Sequence, residues 1–183
     1  IQRSRGLGDV YKRQVEYWSL EQAKLKKEKK ELEGSIVVIT GAFGGIGTAT
    51  YKLFKKYGAE VILIDNNKKK VDEMSKKLND LCIYCDVTNK ESVKKAFNLI
   101  SSKFGGIDIL ISNAGTALGG PIAEVDDKIL RKSFEDNFFS HQNCAAGATK
   151  IMKTQNIEGC LLFNISKQSV NPGKNFGPYG LPK

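Results

Sequence analysis

The sequence predicts a doubly wound α/β fold, in which helices cover both faces of a parallel sheet. Three observations predict this fold: five short apolar segments with the character of strands, helical patterns between them, and a glycine-rich turn directly after the first strand. Strands that alternate with helices pair in parallel through crossovers that are almost always right-handed. The chain of 183 residues has the length of one domain or slightly less.

The five strand segments are short and apolar, and the first of them is rich in β-branched residues and bounded by Gly on both sides, which is typical of a buried strand. In chain order they are SIVVIT (35–40), AEVILID (59–65), LCIYCDV (81–87), IDILIS (107–112) and GCLLFNIS (159–166). Between them lie helical patterns over 45–57, 68–79, 89–103 and about 125–153.

Two segments precede the first strand. SRGLGDVYKRQ, at 4–14, resembles the translation of an adapter used in DNA library preparation, so residues 1–14 are interpreted as an adapter artefact rather than a natural basic tail. Residues 15–33 contain good helix formers and no Gly or Pro, which predicts a linker with a charged helical piece.

Composition and charge argue against several classes of protein. The formal net charge of +9 accompanies lysine-rich stretches without the interleaved aromatic residues of a nucleic-acid-binding surface. No apolar run approaches the roughly 18–20 residues of a membrane span, and no apolar signal segment is visible at the N-terminus. We therefore expect a cytoplasmic protein that binds neither nucleic acid nor a membrane.

Cys82 and Cys85 form a CxxC motif, which in other contexts indicates a metal or redox site. Here the motif lies in a predicted strand, where residues three apart point to opposite faces. The pattern therefore favours two small apolar side chains, and we expect no metal. The four cysteines do not suggest a disulfide framework, which is consistent with a reducing compartment.

A glycine-rich turn, ITGAFGGIG at 39–47, follows the first strand and opens the first helix. Gly41 permits the tight turn, while Gly45 and Gly47 let the backbone approach a phosphate and the helix approach the sheet. The helix N-terminus also offers unpaired N–H groups and a partial positive charge to a pyrophosphate. This strand–turn–helix context predicts a Rossmann-type dinucleotide-binding site.

The second strand ends at Asp65, 24 residues after Gly41. A carboxylate here can accept hydrogen bonds from the ribose hydroxyls and would repel a 2′-phosphate, so NAD is favoured over NADP. The alternative is that Asp65 caps the helix predicted over 68–79, since Asp and Asn are common caps. The sequence DNN at 65–67 is compatible with both.

Six motifs occur in the order typical of classical short-chain dehydrogenases/reductases. They are TGAFGGIG (40–47), CDVT (85–88), SNAG (112–115), Asn137 in EDNFF, Ser166 in NISK, and the YxxxK pair Tyr179 and Lys183. The chain resembles this family over about 34–183, because the ordered set is far more specific than any single motif. Ser112 stands where the family has the first Asn of NNAG.

The resemblance implies which residues act on cofactor and substrate. Those implied to contact NAD are Gly41, Phe43, Gly44, Gly45, Ile46, Gly47, Asp65, Asn66, Asp86, Val87, Asn113, Ala114, Gly115, Tyr179 and Lys183. Tyr179 is the implied acid/base, because the ammonium of Lys183 and the positive nicotinamide both favour its phenolate. Ser166 would orient the substrate oxygen, and Asn137 would anchor a water that links Lys183 to solvent.

Several segments resemble one branch of the family more closely, the bifunctional aldolase/short-chain dehydrogenases. These segments are EYWSLEQAKL, GGIDILISNAG and NISKQSVNPGKNFGPYGLPK. The resemblance implies an aldolase domain upstream in the same chain and a small alcohol, aldehyde or sugar-derived substrate, such as lactaldehyde in rhamnose catabolism. It also implies that the full-length protein is a homo-oligomer.

Two other functions are compatible with a dinucleotide fold. The first is a non-catalytic binding module for sensing or scaffolding, against which the complete Asn–Ser–Tyr–Lys set argues. The second is a sugar-nucleotide epimerase or dehydratase of the extended family. Those enzymes favour TGxxGxxG, whereas the turn here is TGxxxGxG.

The C-terminal end of the sequence raises a question about the YxxxK helix. Only its first turn would fit before Lys183, so we expect 34–183 to be a partial, C-terminally truncated NAD-binding domain that is unstable and inactive in isolation. Pro182 fits such a helix if it begins near Pro178 or Tyr179. His141, four residues after Asn137, is interpreted as a structural or surface residue without a role in catalysis.

Overall fold

The computed structural model describes residues 14–22 and 30–183. Most of the segment interpreted as an adapter, and residues 23–29 of the predicted linker, lie outside the described residues. The chain divides into two compact units, Ile1–Glu31 and Leu32–Lys183, and a helix covers 14–22 in the first of them. The sheet and the candidate site both lie in the second unit.

Five parallel strands form one sheet, which confirms the predicted parallel pairing. The strands are β1 (Ile36–Thr40), β2 (Glu60–Asp65), β3 (Cys82–Tyr84), β4 (Ile109–Ser112) and β5 (Cys160–Phe163). Their spatial order is β3-β2-β1-β4-β5, so the chain reverses its direction of travel across the sheet after β3. This is the strand order of a doubly wound, dinucleotide-binding fold.

The helices that connect and cover the strands are α1 (Gly45–Lys56), α2 (Lys68–Lys77), α3 (Lys90–Phe104), α4 (Asp127–Phe134), α5 (Ser140–Gln155) and α6 (Gly177–Gly180). Side chains cap three of them at the N-terminus: Asn67 for α2, Asn89 for α3 and Asp126 for α4 each accept a backbone N–H of the first turn. These caps satisfy donors that a helix cannot pair internally.

The prediction of one long helix over 125–153 was wrong in one respect. A π-helical turn, Glu135–Phe139, separates α4 from α5, so one wide turn interrupts an otherwise continuous helical segment. The third strand is also shorter than the predicted 81–87. It ends at Tyr84 because the Asp86 carboxylate accepts the Thr88 N–H and hydroxyl and bends the chain away from the sheet.

Helices cover both faces of the sheet, and each face has its own core. Val37, Val38 and Ile39 are fully buried in succession, which requires cover on both faces because neighbouring side chains of a strand alternate. One core packs residues of α3 and α5 against the sheet, and the other packs residues of α1. The doubly wound arrangement predicted from the sequence is therefore confirmed.

The two cysteines of the CxxC motif lie on opposite faces of the sheet, as predicted. Cys85 is buried in the core beneath α3 and α5, whereas the half-buried Cys82 packs against the core beneath α1. Within 14–22 and 30–183, no group of three or more His, Cys, Asp and Glu side chains could hold a metal ion. No helix in those ranges is both long enough and apolar enough to span a membrane.

Candidate active site

A cavity of about 660 Å³ opens at the carboxyl ends of the strands. β1 pairs with β2 on one side and with β4 on the other, so the connections leave these neighbouring strands in opposite directions and open a crevice. All the residues predicted to bind cofactor or to act in catalysis line this cavity except Gly47 and Asn137. The fold thus brings together residues that lie more than 140 positions apart in sequence, from Gly41 to Lys183.

The glycine-rich turn forms one wall of the cavity. Gly41 has a φ of +61°, and a Cβ at this position would lie 2.9 Å from the Ala114 Cα, so both backbone conformation and space require glycine. Helix α1 begins at Gly45 without any side-chain cap, which leaves its first N–H groups available to an anion. Gly47 lies behind the turn against the backbone of Gly41 and Ala42, where it allows the helix to pack closely.

A hydrogen-bond network joins this turn to the SNAG segment. The hydroxyl of Thr40 accepts the N–H groups of Asn113 and Ala114 at 2.9 and 3.0 Å. The Asn113 amide in turn donates to the carbonyl oxygens of Thr40 and Gly41, and its Oδ1 accepts from Asn164. Thr40 and Asn164, to which sequence reasoning gave no role, thereby fix the spacing of the cavity walls.

Asp65 is bonded to the glycine-rich turn and does not cap α2. Its carboxylate accepts the Phe43 N–H at 3.0 Å and the Asn67 N–H at 2.9 Å. The cap of α2 is Asn67, whose Oδ1 accepts the Lys70 N–H, which resolves the alternative left open by the DNN sequence. A carboxylate has about four acceptor sites, so Asp65 can still accept from a ligand hydroxyl.

Asn137 lies in the π turn and is fully buried outside the cavity. Its Oδ1 accepts the Thr116 N–H at 3.1 Å, and its Nδ2 donates to the carbonyl oxygens of Thr116 and Ser133. The side chain therefore holds the backbone just after Gly115. A Cβ at Gly115 would lie 2.6 Å from the Asn137 Oδ1 and 2.9 Å from the Lys183 Nζ, so this position is restricted to glycine.

Ser166, Tyr179 and Lys183 all line the cavity, although the helix around Tyr179 is shorter than the YxxxK spacing implies. Helix α6 begins at Gly177, close to the predicted start, with Pro178 in its first turn. It spans Gly177–Gly180, and the Leu181 N–H still donates to the Gly177 carbonyl oxygen. Lys183 therefore reaches the cavity from a turn beyond the helix.

The amine of Lys183 is held by groups behind the cavity. Its Nζ lies 3.2 Å from the Asn164 carbonyl oxygen and 3.2 Å from the His141 Nε2. The other ring nitrogen of His141 lies 2.6 Å from the Ser112 Oγ. His141 is thus a buried neighbour of a candidate catalytic residue, so of the two interpretations, structural or surface, the structural one holds. The available signal was its position one helical turn after Asn137.

Burial, together with the positive charge of Lys183, lowers the pKa of His141 to about 4. Between that value and the ordinary histidine pKa of about 6.5, the unfolded chain binds a proton that the folded chain does not. We therefore expect the free energy of unfolding to fall as the pH is lowered through this window. Urea unfolding of wild type and His141→Gln, at several pH values, should show a flatter pH dependence in the variant. Parallel curves would contradict the assignment.

Residues 35–183 match the family model described as short chain dehydrogenase. The chain belongs to this family. The match covers all five strands and every residue of the candidate site, so the cavity is that of a short chain dehydrogenase. The family predicted from the ordered motifs is therefore confirmed.

Two curated relatives illustrate the relationship of this short chain dehydrogenase to known proteins. It is 36% identical over 178 residues to the uncharacterized oxidoreductase YuxG of Bacillus subtilis (strain 168), covering 92% of this chain and 26% of that protein. It is 34% identical over 146 residues to short chain aldehyde dehydrogenase 1 of Euphorbia lathyris, covering 76% of this chain and 50% of that protein. The chain thus spans half or less of the length of either relative.

Solved structures show the same fold. An NAD⁺-bound xylitol dehydrogenase superposes with a TM-score of 0.78 at 26% identity, covering 84% of this chain and 61% of that one. A short chain dehydrogenase from Mycobacterium smegmatis superposes with a TM-score of 0.79 at 24% identity, covering 83% of this chain and 65% of that one. The Rossmann-type fold of this short chain dehydrogenase is thereby confirmed.

Proposed function

We propose that this short chain dehydrogenase domain is an NAD-dependent oxidoreductase that acts on a small alcohol, aldehyde or sugar-derived substrate. The observation that carries the proposal is that Ser166, Tyr179 and Lys183 share one cavity with the glycine-rich turn. A binding module needs the turn but has no need of a hydroxyl, a phenol and an amine at the other end of the same cavity. The relatives named as oxidoreductase and aldehyde dehydrogenase support the same reaction class.

The residues present fit a dinucleotide. A Cβ at Gly45 would meet no atom within 4 Å, so the turn is open to a ligand there, and the uncapped start of α1 suits a pyrophosphate. Asp65 would accept from ribose hydroxyls, and Asn113, Ala114 and Gly115 would line the opposite wall. When bound, NAD supplies the acceptor for the hydride, and the protein supplies the proton transfer and the orientation.

The proton chemistry is assigned to Tyr179. In the oxidation of an alcohol, the Tyr179 phenolate would take the proton of the substrate hydroxyl, and in reduction the phenol would return it. The Ser166 hydroxyl would donate a hydrogen bond to the same substrate oxygen and fix its position. The Lys183 ammonium would stabilise the phenolate by its charge and donate to the nicotinamide ribose. Asn137 would keep the Gly115–Thr116 backbone in place, because its amide is bonded to Thr116 and Ser133.

We expect Asp65→Asn to change the cofactor preference. The variant removes the negative charge that would repel a 2′-phosphate but keeps an oxygen for the Phe43 N–H. Lys70 lines the same cavity, and its Nζ lies 3.3 Å from the Phe43 carbonyl oxygen. Its positive charge would then attract the 2′-phosphate of NADP. The ratio of the Kd for NADP to the Kd for NAD should fall about 10-fold.

Isothermal titration calorimetry with both dinucleotides measures this ratio. Asp72→Asn is the matched control, because Asp72 is exposed on α2 and does not line the cavity. It removes the same charge and should leave the ratio unchanged. Equal ratios for wild type and Asp65→Asn would show that Asp65 does not select the cofactor.

We also propose that this domain is part of a bifunctional aldolase/short-chain dehydrogenase. The alignment with the Bacillus subtilis relative covers 92% of the chain, so it extends into the segment before residue 35, and it represents only 26% of that protein. The relationship supports a longer protein around this domain, whereas the proposal of an upstream aldolase domain and of lactaldehyde as substrate depends on the resemblance to the aldolase-linked branch. A homo-oligomer in the cytoplasm is proposed with it, consistent with the free thiols of Cys82, Cys85, Cys144 and Cys160.

The proposal is tested by NADH formation or consumption with a panel of small alcohols, hydroxyaldehydes and lactaldehyde. Turnover is assayed with the full-length protein, because the chain covers 26% and 50% of the two relatives. Binding of NAD is assayed with the 183-residue chain as well. Tight NAD binding without turnover of any panel member would favour the binding-module alternative. Absence of NAD binding would refute both.

A further inference from the structure

The side chain of Lys183 has a defined set of partners behind the cavity. A lysine ammonium carries three N–H donors and no acceptor. Two of these donors are engaged, by the Asn164 carbonyl oxygen and by the His141 Nε2, each at 3.2 Å. Because Lys183 also lines the cavity, the third donor is the one left for a ligand.

This arrangement decides the tautomer of His141. Nε2 faces a group that can only donate, so Nε2 accepts and the imidazole proton lies on Nδ1. The Nδ1–H then donates to the Ser112 Oγ, at 2.6 Å. The hydrogen bonds therefore run in one direction, from Lys183 to His141 and from His141 to Ser112.

Three neighbours hold the imidazole: Ser112, Lys183 and Phe163. Ser112 at the end of β4 is 1% exposed, and His141 at the start of α5 is 8% exposed. The ring of Phe163, from β5, meets the imidazole edge to face with centroids 5.9 Å apart. Neither Ser112 nor Phe163 carries a charge, so the charged group facing the ring is Lys183. Burial and this charge lower the pKa of His141 and keep it neutral near pH 7.

We propose that His141, oriented by Ser112, is a positioning residue that holds the Lys183 ammonium against Gly115 so that its remaining N–H points into the cofactor cavity. The four-carbon stem of a lysine is flexible, and one carbonyl acceptor alone leaves the ammonium free to rotate about that contact. The second acceptor removes this freedom. The proposal rests on the proposed function, because it concerns how the catalytic lysine is oriented.

The tautomer can be measured without turnover. In the full-length protein, the ring ¹⁵N resonances of His141 are identified by their absence from the spectrum of His141→Gln. Nitrogen NMR of the labelled chain should show a neutral ring with the proton on Nδ1, and Lys183→Met should raise the pKa of the ring. A proton on Nε2, or a rapidly exchanging mixture of tautomers, would overturn the proposal whether or not the protein is a dehydrogenase.

Kinetics of the full-length protein provide the second test. His141→Leu should lower kcat about 10-fold and weaken NAD binding, whereas His141→Gln, which keeps an acceptor near the Nε2 position, should restore most of both. A purely structural role predicts that kcat falls in each variant in line with its loss of stability, without selective restoration by Gln.

Ser112→Ala tests the outer end of the chain of hydrogen bonds. It should reduce kcat less than His141→Leu does, and it should add nothing when combined with His141→Leu, because Ser112 acts through the imidazole. Additive losses in the double variant would overturn that part of the proposal. If wild-type protein shows no turnover with any substrate, the proposed function fails, and the NMR result alone decides the role of His141.

Discussion

Replacing Tyr179 with phenylalanine should reduce kcat of the full-length protein by about 1,000-fold, because the variant loses the group that moves the substrate proton. The ring itself is retained, and with it the contact with Phe176, whose ring centroid lies 6.4 Å away. NAD affinity and unfolding temperature should therefore change little. The measurement is steady-state NADH formation together with calorimetric NAD binding.

Tyr84→Phe provides the matched control for this variant. Tyr84 is 52% exposed at the end of β3 and does not line the cavity. The same hydroxyl deletion there should leave kcat at the wild-type value. A Tyr179→Phe variant with unchanged kcat would remove Tyr179 from the mechanism, even if NAD binding were as expected.

Gly115→Ala should reduce kcat by about 100-fold, although the change adds a single methyl group. The new Cβ would lie 2.6 Å from the Asn137 Oδ1, which cannot move away because Asn137 is buried and bonded to Thr116 and Ser133. It would also lie 2.9 Å from the Lys183 Nζ, at the end of a flexible side chain. The ammonium therefore moves, and its bonds to His141 and Asn164 are lost.

The kinetic signature of Gly115→Ala distinguishes displacement of Lys183 from general unfolding. We expect a loss of kcat and weaker NAD binding, together with a lower unfolding temperature, because the clash with the Asn137 Oδ1 must be relieved by a shift of buried groups. In nitrogen NMR, the ring of His141 should respond as it does in Lys183→Met. A folded Gly115→Ala protein with wild-type kinetics would show that the ammonium tolerates a different position.

The features that could be predicted from the sequence are those determined by residues that lie close together in the chain. Apolar β-branched runs define β1 and β2, and the glycine pattern at 41–47 needs only its neighbours to indicate a phosphate-binding turn. The parallel pairing of the strands was predictable because helices alternate with strands, whereas the strand order was not predicted. These signals are local or follow from general rules of chain connection.

The features that sequence reasoning missed depend on contacts across the sheet. The partner of His141 lies 42 residues away at Lys183, and the partners of the Thr40 hydroxyl lie 73 and 74 residues away. No periodicity connects such positions. The π turn was missed for a related reason, since residues 135–139 carry no pattern that separates a wide turn from an ordinary helical one.

Because of the π turn Glu135–Phe139, the segment between α4 and α5 should not tolerate the insertion or deletion of a residue. Each residue of an α-helix rotates the next side chain by about 100°, so deleting one residue from Glu135–Phe139 would turn α5 by that angle relative to α4. The rotation would take His141 away from Ser112 and Asn143 away from the carbonyl oxygens of Val87 and Thr88. Natural variation in this segment should therefore occur by substitution, and homologues that bind Lys183 in this way should keep its residue count constant.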